Sequence, residues 1–347
     1  MKKYYVLIFF LIICLWGCSR KIYQVAYPTL NDGKYDSEFP YKNASSELSQ
    51  ISQTVRKLSA IAYYKSYVFD EKSRLMKSDL KNNDYRRQAI KEVYFNNSVI
   101  GSATIISYLG RRVTLLTCAH IVDFEDTLYT YFTTESGLQT PFLQSIAIKQ
   151  RQKNYIADFP ERGELEILAI DTKSDIALLG RMFQNVSRFP LPVFDYPLGK
   201  ALGLEWGSFV YLIGYPKGYL MVTRGIVSQP DRDHKGSFLV DALFNRGFSG
   251  GIVLAIKDGV PNFELVGLAS SVAADFEYNI IPPEDIERSG FDPRIPYKGD
   301  IHVKFNRTIN YGITFIVSTE IILNFIKENL DHIEMKGYDL SSLVSGQ

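Results

Sequence analysis

Asn245-Arg246-Gly247-Phe248-Ser249-Gly250-Gly251 runs directly into Ile252-Val253-Leu254-Ala255-Ile256. A serine stands among three glycines, and the turn opens an apolar run that reads as a β-strand. Glycine permits a tight turn and leaves the space over the serine open. A serine hydroxyl is a weak nucleophile by itself; it needs an adjacent base and donors for a developing oxyanion. The backbone amides of Gly247 and Ser249 are the candidate oxyanion donors. The same pattern also suits an ordinary glycine-rich turn between strands, so its partners decide the reading. The strand after Gly251 argues against an α/β-hydrolase, in which the nucleophile turn leads into a helix.

Two partners are available. Leu115-Leu116-Thr117-Cys118-Ala119-His120 sets a histidine at the end of one apolar strand, and Asp175 directly precedes another, Ile176-Ala177-Leu178-Leu179. Taken singly, His120 reads equally well as a core histidine and Asp175 as a turn acid. Together with Ser249 they fall in the order His, Asp, Ser, separated by 55 and 74 residues. That is the chain order of chymotrypsin-type enzymes. On this reading Ser249 is the nucleophile, His120 the general base and then acid, and Asp175 the carboxylate that holds the imidazole tautomer.

With these residues in place the chain resembles the trypsin-like serine peptidases, and among them the bacterial HtrA/Deg endopeptidases. The blocks that carry the resemblance are Gly101–Ile106 with Leu116–Val122, Ile170–Leu179, Ile213–Pro216 with Thr223–Ser228, and Val240–Gly251. Tyr311–Val317 is a weaker fifth match, and together they span about residues 95–330. The resemblance implies a serine endopeptidase acting on unfolded or extended envelope proteins. It places Leu243 at the base of the specificity pocket, with Gly267, Leu268, Ala269 and Ser270 along one wall. An apolar base without an acid predicts cleavage after small or medium aliphatic residues. Phe248 departs from the family pattern. Digestive relatives carry an aspartate there that pairs with a new N-terminus, so activation of that kind is not expected.

The strand pattern predicts an all-β fold: two six-stranded antiparallel β-barrels, closed to remove their edges. Barrel one is expected over about 60–185 and barrel two over about 200–318, within a domain of 46–335. Strands are expected at 90–94, 99–108 and 113–118 among others, and Gln150–Arg162 reads as a loop. Apolar positions 48, 51, 55 and 58 predict a short N-terminal helix, and the apolar spacing of 318–333 predicts a terminal helix capped by Ser318. Residues 273–310, with Pro282-Pro283, Pro293 and Pro296, read as a long insertion or lid over the cleft. Residues 336–347 form a short tail, with no room after it for a PDZ module.

The chain has 347 residues, with 39 Lys and Arg against 38 Asp and Glu, scattered rather than striped. No nucleic-acid partner is expected. Met1-Lys2-Lys3 precedes an uncharged, mostly apolar run over 4–16, too short to span a bilayer and suited to a signal core. Leu15-Trp16-Gly17-Cys18-Ser19 resembles a lipoprotein signal, which would cleave after residue 17 and lipidate Cys18. Residues 18–45 then read as a flexible tether, and the expected location is the bacterial cell envelope, on the outer membrane. A plain signal peptide is the alternative. Cys118 reads as a small buried hydrophobe. The four histidines lack ligand spacing, so no metal and no cofactor is expected. Two other readings stay open: an esterase using the same triad, and a catalytically inactive relative that binds peptides or partner proteins. Oligomeric state is not legible.

Overall fold

The computed structural model describes residues 31–345, apart from 82–83, 135–137, 160, 162, 186–190, 282–293 and 295–301. The apolar run 4–16 and Cys18 lie outside the described residues. Helix α1, Ser45–Ser52, buries Ile51, and the chain turns at Gln53. The apolar positions 55 and 58, expected to continue this helix, belong instead to strand β1, Val55–Val68. Strand β1 alternates strictly about Leu58, Ala60, Ala62 and Tyr64, all of which are buried. Such period-two burial fits a sheet with one solvated face.

The first sheet contains β1, β2 (Lys91–Leu109), β3 (Arg112–Thr117), β4 (Thr127–Thr133), β5 (Gln139–Ile156), β6 (Glu166–Asp171) and β7 (Ile176–Met182). Its order is β4-β5-β1-β2-β3-β7-β6, and it does not close. The expected pair of six-stranded barrels is therefore wrong: the fold has one open, curled sheet of seven strands and one closed barrel of six. The reason is the length of the central strands. Strands β1, β2 and β5 run 14, 19 and 18 residues. Strand β4 reaches the sheet at 139–148 of β5, beside the far end of β1. Strands β3, β7 and β6 attach at the opposite end, where β2 pairs over 104–109. The two edges therefore never meet. Local readings also change. Strand β2 is continuous through Asn96-Asn97, where a break was expected, and residues 150–156 extend β5 rather than forming a loop.

The closed barrel is β10-β13-β12-β11-β8-β9, formed by β8 (Phe209–Gly214), β9 (Met221–Gln229), β10 (Phe238–Val240), β11 (Gly251–Ile256), β12 (Phe263–Ile281) and β13 (His302–Ser318). Strand β11 is buried at every position. Helix α2, Thr319–Met335, starts at Ser318, whose side chain accepts from the Ile321 amide. It crosses to the first sheet, where Ile322, Phe325, Ile326 and Ile333 join the core with Leu168 and Ile176. Leu268 and Val317 of the barrel belong to that same core, so the two halves share one apolar interior. At the chain's described start, Tyr35 bridges to Lys257, and the Asp36 carbonyl accepts from the Phe209 amide at 2.8 Å.

A cleft at the junction of the two halves

His120 lies on a single helical turn, Ala119–Val122, whose other three residues are buried. Packing the apolar residues inward leaves the imidazole facing out. Asp175 sits just before β7 at φ +57°, a left-handed conformation that short polar side chains such as Asp and Asn enter more readily than most. Strand pairing sets the distance between them, since Thr117 pairs with Ala177. The carboxylate accepts from the His120 backbone amide at 2.9 Å, and both its oxygens lie 2.9 Å from Nδ1. Ser270 Oγ donates to the second oxygen at 2.5 Å. Burial works against the charged carboxylate. The bonds from His120 and Ser270 prevail and hold Asp175 below its ordinary range. The expected pairing of His120 with Asp175 is thus present. Ser270, expected only in a pocket wall, is the carboxylate's further partner.

Ser249 behaves otherwise. Its hydroxyl donates to the Ser270 carbonyl at 2.9 Å. Among the described residues no hydrogen bond joins Ser249 to His120. The third group clustered with the imidazole and carboxylate is Cys118, with ligand atoms all within 4.8 Å of one another. Cys118 does not supply a nucleophile. It is buried, its thiol donates to the Ala269 carbonyl at 3.4 Å, and burial followed by the Asp175 charge pushes its pKa well up. A serine without a bond to its base stays a weak nucleophile. The expectation of a serine endopeptidase with a working Ser-His-Asp triad, and of any hydrolase using it, is therefore overturned. As for a metal, Asp175 and Cys118 are already bonded to protein groups, so an ion at this cluster would have to displace those contacts.

The serine loop is pinned by a residue that had no expected role. Ser102, on β2, is fully buried. Its hydroxyl donates to the Gly247 carbonyl at 2.7 Å and accepts from the Tyr215 amide at 2.8 Å. Its own amide donates to the Ser249 carbonyl, also at 2.8 Å. A polar residue inside the apolar run Ile100–Ile106 was the available signal, because a buried hydroxyl needs partners. Gly247 stands at φ +104°, and a Cβ there would come within 2.3 Å of the Tyr215 carbonyl. Phe248 is 1% exposed and packs against Phe244 at 5.8 Å between ring centroids. It is a core residue and does not face the cleft.

Ser249 and His120 share a cleft of about 780 Å³ with Gly247, Ser270, Val99 and Tyr311. The amides of Gly247 and Ser249 donate no hydrogen bond among the described residues. Lys217 and Arg246 also line this cleft, and among the described residues no acid does. The remaining pocket residues are not brought to it. Leu243, expected at its base, is 63% exposed, and Phe244 takes the place in the wall. Leu268 and Ala269 are buried in barrel strand β12, and Gly267 is pressed against Ile316 and Val317 of β13.

Residues 101–268 match the family described as the trypsin-like peptidase domain. At the level of that superfamily, the chain carries a trypsin-like domain. Among solved structures it is similar to a serine endoprotease from Yersinia pestis, at 16% identity and TM-score 0.40, over 85% of this chain and 68% of that one. It is also similar to the Rv3671c protease in its inactive form, at 13% identity and TM-score 0.38, over 81% and 91% of the two chains. A third is an inactivated protease paralogue of the scabies mite, at 11% identity and TM-score 0.34, over 78% and 91%. Likeness at this level says nothing of activity. No curated protein sequence matches the chain. Among the described residues, no helix is long and apolar enough to cross a membrane.

Proposed function

We propose that this chain is a catalytically silent trypsin-like protein, on the HtrA/Deg side of the superfamily, that binds extended polypeptide segments in the cleft. The observation that carries the reading is the Ser249 hydroxyl, donated to Ser270 rather than to His120. The cleft nonetheless keeps what an extended backbone requires. The Gly247 and Ser249 amides can receive a ligand carbonyl or carboxylate, and Lys217 and Arg246 favour an acidic one. Past Ala269, strand β12 has left β11, so its edge from Ser270 onward is open to an added strand. Attachment to the cell envelope through a lipid on Cys18 belongs to the same proposal.

The test combines binding and turnover. A fluorescein-labelled casein-derived peptide is titrated with wild-type protein and Ser249→Ala, and the same tubes are read by mass spectrometry. Equal affinities and intact peptide are expected. Cleavage by the wild type that disappears in Ser249→Ala would overturn the reading.

A further inference from the structure

Beyond the barrel, β12 and β13 continue together as a two-stranded ribbon, pairing from Ala274 with Ile309 out to Ile281 with His302. Its two faces differ sharply. One carries Asp275, Glu277 and Asn279 opposite Thr308, Asn306 and Lys304. The other carries Phe276, Tyr278 and Ile280, whose cross-strand partners are Arg307, Phe305 and Val303, so that it is apolar at every one of these positions but Arg307. Phe276 and Phe305 stack at 5.6 Å, and Tyr278 lies 5.2 Å from Phe305. Period-two segregation of this kind normally marks a face built for burial. Here Phe276, Tyr278 and Ile280 are 59%, 74% and 68% exposed. A lone two-stranded ribbon in water is marginal, and contiguous exposed apolar surface marks an interaction site.

The position of this face identifies its occupant. Ile309, paired with Ala274 on the apolar side, is also part of the cleft wall beside Val272 and Tyr311. The apolar face is therefore continuous with the cleft that holds His120 and Ser249. From Ser270 to Ile280 the strand extends about 33 Å, enough to lie along roughly ten residues of extended chain.

Resting on the binding reading above, we propose that the ribbon is the second half of the same site. An extended polypeptide seated in the cleft continues along the ribbon and places its hydrophobic side chains, at alternate positions, on Phe276, Tyr278 and Phe305. The class of ligand is thus an unfolded segment with aliphatic or aromatic residues every second position. A short polar peptide would use the cleft alone.

The test compares two fluorescein-labelled peptides by anisotropy. One has ~6 residues and fills the cleft; the other has ~14 residues and adds alternating Phe and Ser over the ribbon's length. The proteins are wild type, the double variant Phe276→Ser/Phe305→Ser, and Glu277→Ser on the polar face as control. The barrel cores do not include these positions, and circular dichroism checks that each variant is folded. The expected result is tighter binding of the long peptide to wild type, lost by about tenfold or more in the double variant. The short peptide and the control variant should show no change. A long peptide that binds no better than the short one, or no loss in the double variant, overturns the ribbon's role while leaving the cleft reading intact. A double variant that lowers the sedimenting mass yet binds both peptides normally also overturns it, since a second copy would then cover the face. Failure of both peptides to bind wild type would sink the cleft reading itself, and this inference with it.

Discussion

Replacing Phe248 by alanine is expected to damage the barrel rather than the cleft. The ring is 1% exposed and sits among Val210, Leu212, Val240 and Val253. Its neighbour across the core is Gly214, where an added Cβ would lie 2.8 Å from Phe248 Cδ1. A glycine has no side chain to move into a vacated space, so the cavity would persist. The backbone on either side is held as well: the Phe248 amide donates to Asn245 at 3.0 Å, and its carbonyl accepts from Gly251 at 2.8 Å. Phe→Ala in a core costs about 3–5 kcal/mol. Poor collapse at this site favours the upper half of that range. With an m-value of about 3 kcal/mol/M, the urea midpoint should fall by roughly 1.3–1.7 M. Far-UV circular dichroism during urea titration reads it directly, and Phe248→Leu should lose about a third as much. An unchanged midpoint, or a loss of peptide affinity at unaltered stability, would refute the placement of the ring and put Phe248 back in the cleft.

Gly250→Ala should be at least as harmful, because φ is +79° and the new Cβ would lie 2.1 Å from the Ser102 carbonyl. A loss of several kcal/mol is expected, with failure to express in folded form as the extreme; a variant with wild-type thermal stability would contradict the geometry. Asp36 should make stability depend on pH. Burial first, then the charges of Glu38, Asp258 and Asp32, raise its pKa to about 6, against the opposing bond from the Gly259 amide. The folded chain then binds this proton at a higher pH than the unfolded chain does. The charged form therefore burdens the fold above about pH 6, and the burden is relieved as pH falls toward 4. Asp36→Asn should be more stable than wild type at pH 7, by at most about 3 kcal/mol, and equal to it at pH 4. Melting profiles that run parallel between those pH values would rule this out.

The meeting of His120, Asp175 and Ser249 was legible because each lies beside an apolar strand, and strand ends converge where two sheets join. The direction of the Ser249 hydroxyl was not legible. It is set by a carbonyl 21 residues away, Ser270, and no local pattern encodes a side-chain torsion. Sheet closure was equally hidden. The residues at 90–94 and 99–108 predict strands, yet whether the edges meet depends on where β5, which carries β4, and β3, which leads to β7 and β6, join the long strands β1 and β2. The ribbon was present in the sequence as Phe276, Tyr278 and Ile280, every second residue. The following Pro282-Pro283 and the nearby acids outweighed that pattern and produced the reading of a loop. Leu243 was misplaced for a related reason: in a turn, one residue's difference decides which side chain faces inward, and Phe244 takes that side.

Ser102 has a consequence for how the molecule comes apart. It belongs to the open sheet, while the groups it holds, Gly247, Ser249 and Tyr215, belong to the barrel. Prising the two halves apart would strand a buried hydroxyl, two amides and two carbonyls together, and would also split the apolar interior that Leu268 and Val317 share with the first sheet. Neither half then has a comfortable intermediate in which it stands alone. The chain should melt in one cooperative step, with calorimetric and van't Hoff enthalpies in agreement, even though its architecture has two parts.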